Sequence, residues 1–93
     1  MVPMRVARRY LIRGRVQGVG FRYFARDVAL REGVTGWVRN LPDGRVEARV
    51  EGELEAVTRV ERALHSGPRG ARVDSVFVDE EEPSTAYATF EIA

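Results

Sequence analysis

Residues Arg13 to Arg22 read R-G-R-V-Q-G-V-G-F-R, a stretch that follows an apolar run and leads straight into a helix-periodic segment. A strand that breaks into a glycine-punctuated turn and then opens a helix is suited to trapping an anion. Gly18 and Gly20 take positive φ without a Cβ penalty, so successive backbone N–H groups can converge on one point. The helix N-terminus adds unpaired N–H donors and about half a positive charge. Arg22, in the first turn and off the apolar stripe, offers a planar, permanently charged fork that suits a phosphate. The stretch is too short for a nucleotide P-loop and lacks its Gly-Lys pair. By itself such a turn is usually a tight connection and a first-turn Arg a solvated side chain, so the rest of the chain has to decide.

Working outward, Arg5 to Val16 has the pattern of a strand, with Tyr10 and Ile12 on one face and Arg9, Leu11 and Arg13 on the other. Met1 to Met4 read as a short, loosely held N-terminus. After the loop, Phe21, Phe24, Ala25, Val28 and Ala29 recur at the spacing of a half-buried helix, and Gly33 supplies its stop. Val34 to Leu41 reads as a second strand, Pro42-Asp43-Gly44 as a turn, and Arg45 to Glu51 as the returning strand of a hairpin. In that returning strand Val46, Ala48 and Val50 are expected inward, and Glu47, Arg49 and Glu51 outward. A second helix is expected from Gly52-Glu53 to Gly67-Pro68, with Glu55 and Arg59 as an i, i+4 pair on its surface. Val73 to Asp79 reads as a fourth strand and Glu80 to Pro83 as an acidic, solvated break. A short last strand is expected through Phe90 and Ile92. The order β-α-β-β-α-β most simply packs two helices on one face of an antiparallel sheet, a ferredoxin-like two-layer α/β sandwich of the α+β class with a short extra C-terminal strand.

Composition narrows the partners. With 93 residues, a single domain over 1–93 is expected. The net charge of +1 gives no global field toward nucleic acid or anionic lipid. All 15 basic residues are Arg, which reads as a codon or temperature bias rather than a binding surface. The chain has no cysteine, hence no disulfide framework, zinc knuckle or thiol nucleophile. His65, the single His, reads as a cap at a helix C-terminus, and no second ligand stands at metal spacing, so neither metal nor cofactor is expected. There is no apolar run of membrane-spanning length and no secretory leader pattern, which points to the cytoplasm, and a small mixed-charge surface points to a monomer.

Asn40 is the second candidate. In strand alternation it shares a face with Gly36 and Val38, near the strand's end, and so could approach the glycine loop. An amide beside a bound phosphate can hold a water, which is a positioning role without proton-transfer power. The plainer alternative is that Asn40 simply starts the hairpin turn.

Gly14-Arg15-Val16-Gln17-Gly18-Val19-Gly20-Phe21-Arg22, with Gly36-Trp37-Val38-Arg39-Asn40 and Asp43-Gly44-Arg45-Val46-Glu47, closely resembles the acylphosphatase family, and the resemblance runs over essentially the whole chain. It implies metal-free hydrolysis of acyl phosphates, the small-molecule substrates, to a carboxylate and inorganic phosphate. It further implies that main-chain N–H groups of Gln17, Gly18, Val19, Gly20, Phe21 and Arg22, with the Arg22 side chain, bind the phosphoryl group. Asn40 then orients the attacking water. Two other functions compete. An RNA-binding module shares the element order, but the strand Arg45 to Glu51 carries no aromatic residue to stack a base. A regulatory domain that binds an anion without turning it over would use the same loop, and only activity separates it from the enzyme.

Overall fold

The computed structural model describes residues 4–84 and 86–93, so most of the N-terminal segment expected to be loose lies outside the described residues. The elements are β1 (Arg5–Arg15), α1 (Phe21–Glu32), β2 (Thr35–Asn40), β3 (Val46–Glu53), α2 (Leu54–Ser66), β4 (Arg72–Glu81) and β5 (Phe90–Ile92). They form one five-stranded sheet in the order β4-β1-β3-β2-β5. The first four strands pair antiparallel as expected, but β5 runs parallel to β2, so the sheet is mixed. The chain reaches β5 from the far edge, and that crossing sets its direction.

Both helices lie on the same face, α1 over β2 and β5, and α2 over β1, β3 and β4. The core between the layers follows from the two periodicities. Period-2 positions Tyr10, Ile12, Val38, Val46, Ala48 and Val50 meet helical positions Phe21, Ala25, Val57, Val60 and Leu64, all at most 1% exposed. Each large apolar side chain removed from water there contributes about 1.5–3 kcal/mol. Polar groups meet at the border of this layer: the Tyr10 hydroxyl donates to Glu61 Oε1 at 2.9 Å, and Arg8 Nη1 supports the same carboxylate at 3.2 Å.

The opposite face departs from expectation. Glu47, Arg49 and Glu51 do turn away from the helices, yet they are 6%, 7% and 1% exposed. As the middle strand, β3 has long side chains from both sides laid over it. Arg9 and Arg39 close on Glu47, each at 2.7 Å, and Arg49 reaches Glu81 at 2.8 Å. The expected acidic break at Glu80 to Pro83 is accordingly wrong at its start. Glu80 and Glu81 both belong to β4: Glu81 is half-buried against Arg49 (2.8 Å), whereas Glu80 pairs with Arg8 (2.8 Å) but keeps its side chain exposed. Two further expectations shift. β3 keeps pairing with β1 to Glu53, so α2 starts only at Leu54. Arg59 pairs not with Glu55 but with Glu32 of α1, at 2.8 Å, tying the two helices together.

Candidate active site

The loop between β1 and α1 is shaped by its glycines. Gly18 (φ 75°) and Gly20 (φ 77°) are left-handed, and a Cβ on either would meet nothing within 4 Å. They are needed for the backbone's path, not for space. Gly20 caps α1 without any side-chain hydrogen bond, and the first helical bond runs from Phe24 N to Gly20 O at 3.0 Å. The N–H groups of Phe21, Arg22 and Tyr23 therefore have no helical acceptor. Among the described residues, the N–H groups of Gln17, Gly18, Val19 and Gly20 find no acceptor either. A run of consecutive amides is thus left free at the positive end of a helix, and no acidic side chain in the first turn neutralises it.

This loop forms one wall of a cleft of about 220 Å³ lined by Val16, Gly18, Gly20, Phe21, Arg22, Tyr23 and Asn40. Arg22 is half-buried, and among the described residues no carboxylate pairs with it. None of the residues lining the cleft is acidic, so the guanidinium and the amides face it uncompensated. Asn40 comes from the end of β2, opposite Val46 in the register of β3. Its Oδ1 is buried and has no hydrogen-bond partner. Leaving such an atom unpaired costs about 1–3 kcal/mol.

The sequence-derived site is therefore brought together in its main parts: Arg22, Asn40 and the glycines meet in one cleft. Two loop positions behave differently. Val19 turns its side chain onto the core, leaving only its backbone for the site. Gln17 directs its side chain away, its Nε2 donating to the carbonyls of Leu41 (2.7 Å) and Arg45 (3.0 Å). Tyr23 was missed as a lining residue. It is exposed at the cleft's mouth with the Arg26 guanidinium 5.5 Å from its ring centre, and its place one residue after Arg22 in the same helical turn was the available signal. A larger hollow of about 440 Å³ lies on the other face of the sheet, between Leu11, Arg13, Arg45 and Phe77. It is separate from the free amides, and size does not mark the site here.

Comparison with known proteins identifies the family and matches the fold. The Acylphosphatase family model matches residues 8–92. An acylphosphatase of Anaeromyxobacter dehalogenans is 56% identical over 88 residues, covering 95% of each chain. One of Rubrobacter xylanophilus is 55% identical, covering 90% of this chain and 76% of its own. The crystal structure of acylphosphatase from Bacillus subtilis superposes with a TM-score of 0.91 at 36% identity, covering 95% of this chain and 98% of that one.

Proposed function

The chain belongs to the acylphosphatase family, hydrolases that act on acyl phosphates, and from that premise we propose how its own residues carry the reaction. The phosphoryl oxygens sit in the cradle of N–H groups from Gln17 through Arg22, with the Arg22 guanidinium closing it. Asn40 holds a water by its free Oδ1 on the side of the phosphorus away from the acyl group. The water oxygen forms the new bond to phosphorus as the bond to the carboxylate oxygen breaks, and the carboxylate leaves with that electron pair. A phosphoryl oxygen takes the water's proton, so the products are a carboxylate and inorganic phosphate.

So sparse a site is adequate for this chemistry. A carboxylate leaves without help from a general acid. Phosphoryl transfer passes through a loose transition state in which positioning and charge stabilisation do most of the catalysis. Preorganised donors of this kind are worth about 3 kcal/mol each. The observation that carries the reading is that Asn40, whose Oδ1 has no partner, lines the same cleft as the unpaired loop amides and Arg22. The same reading has the protein working without metal, as a monomer in the cytoplasm.

The test is hydrolysis of benzoyl phosphate in the presence of EDTA, with sedimentation of the same sample for its mass. Release of inorganic phosphate at an undiminished rate is expected. No release above the buffer rate would remove the enzymatic reading in favour of a purely anion-binding domain, and loss of activity to the chelator would remove the metal-free mechanism.

A further inference from the structure

The Gln17 side chain makes a connection that phosphate binding does not need. Its one amide nitrogen donates to two carbonyls, Leu41 at 2.7 Å and Arg45 at 3.0 Å. These carbonyls stand on either side of the neck of the β2–β3 hairpin. The neck is otherwise closed by the Leu41 N–H donating to Arg45 O at 2.8 Å, and the turn by Gly44 N–H donating to Leu41 O at 3.2 Å. The ladder between β2 and β3 ends at the Asn40–Val46 pair. Asn40 thus occupies the last paired position, one residue from a carbonyl that Gln17 holds, and its own Oδ1 has no partner to fix its direction. Its aim is inherited from the backbone at 40 and 41.

We propose that the Gln17 side chain is a positioning residue that straps the phosphate loop to the end of β2 and so sets the separation between the loop's N–H donors and Asn40. The proposal rests on the reading of Asn40 as the water-orienting group. Glutamine has the chemistry the strap requires. Both anchors are acceptors, and a primary amide presents two protons on one nitrogen at a reach a shorter side chain lacks. Gln17 then acts twice, through its backbone toward the phosphoryl group and through its side chain toward the water.

Gln17→Leu keeps most of the volume and removes both donors. In benzoyl phosphate hydrolysis kcat falls about tenfold, the scale of two neutral hydrogen bonds. A double-mutant cycle shows whether the loss passes through Asn40. In an Asn40→Ala background the same Gln17→Leu change lowers kcat less than about twofold, because the group it positions is gone. An equal tenfold loss in both backgrounds overturns the strap and leaves the reading of Asn40 standing. An Asn40→Ala variant with wild-type kcat overturns both. Gln17→Glu supplies a readout that general loosening of the fold would not move. Ionised, its carboxylate faces two carbonyl oxygens; protonated, it regains one donor. Its kcat relative to wild type at each pH therefore rises as the solution is acidified, whereas that of Gln17→Leu stays level. A flat ratio for Gln17→Glu overturns the proposal.

Discussion

Arg49 Nη1 lies 2.9 Å from Glu51 Oε1, and the two side chains, on the face of β3 that turns away from the helices, are only 9% and 1% exposed. Neither stands alone. Glu51 also accepts from Arg5 at 3.3 Å and from the Ser84 N–H at 3.0 Å, while Arg49 donates to Glu81 (2.8 Å) and to the carbonyl of Glu82 (3.1 Å). The Arg49 guanidinium also lies 5.1 Å from the Tyr87 ring centre. Taking two charges out of water is expensive, and it is offset here because each charge has several partners. The back of the sheet is covered by ion pairs where a second helix layer would otherwise be needed.

This arrangement makes stability depend on acid. Burial pushes the Glu51 carboxyl up, but the Ser84 N–H and the Arg49 and Arg5 guanidiniums outweigh it and hold the group below the ordinary carboxylate range. Burial acts the same way on Glu47, where Arg9 and Arg39 prevail. A folded value below the unfolded one contributes stability that is fully present above the unfolded value, and it is lost as pH falls through the folded one. Urea unfolding midpoints should therefore hold from neutral pH to about 5 and fall below the ordinary glutamate value of 4.5. Glu51→Gln should cost about 3 kcal/mol at neutral pH and flatten the acid limb, because it leaves Arg49 short of a partner. An acid limb unchanged in that variant would assign the loss to other groups.

Arg22→Lys separates charge from shape. It keeps the cation but loses the planar fork, so kcat/KM for an acyl phosphate should fall about a hundredfold or more, in line with losing one preorganised donor. Because no carboxylate among the described residues depends on Arg22, the melting temperature should stay close to that of wild type. Steady-state kinetics with a thermal scan on the same sample checks both halves.

Asn40→Ala should trade function against stability. Turnover is expected to fall while product inhibition by inorganic phosphate changes little, since the cradle is untouched. Removing a buried oxygen that has no partner should leave unfolding free energy unchanged or raise it by about 1 kcal/mol. A variant less stable than wild type would mean that Asn40 chiefly holds the hairpin.

Gly36 is a packing constraint near the same strand. An added Cβ would stand 1.8 Å from the Arg49 carbonyl oxygen, and the residue has φ 137°. Gly36→Ala should therefore destabilise by about 3 kcal/mol or more, read from denaturant unfolding, because it forces β2 away from β3 and moves Asn40 with it.

The parts legible in the sequence were those governed by local periodicity. The stripe Phe21, Ala25, Val28, Ala29 located α1, and alternation assigned Tyr10, Ile12, Val46, Ala48 and Val50 to the core face. Gly18, Gly20, Arg22 and Asn40 stood out through the resemblance to a known family; by residue type alone the turn read as a tight connection and Asn40 as the start of the hairpin turn. Alternation could not tell whether the other face was wet. It put Glu47, Arg49 and Glu51 on the outer side, but their cover comes from Arg9 and Glu81, which are distant in the chain, as well as from Arg39 across the hairpin. Glu80 and Glu81 read as a break because an acidic run carries no strand signal of its own; both pair in β4, and Glu81 alone of the two is half-buried, against Arg49. The Gln17 strap was hidden as well, since its anchors are backbone carbonyls, which every residue has.

The sheet order places β4 and β5 at its two borders, and both come from residues 72–92. During synthesis, β1, β3, β2 and both helices are made before either border exists. A nascent chain therefore presents two open rims of backbone donors and acceptors until residues 72–92 emerge, the state in which strands recruit wrong partners. The two rims are unequal in consequence. Loss of residues 90–92 bares β2, the strand that ends in Asn40, while β1 keeps both neighbours and the glycine loop at its end stays framed. A shortened chain of this kind would keep the glycine loop in place while the strand that carries Asn40 lost its outer partner.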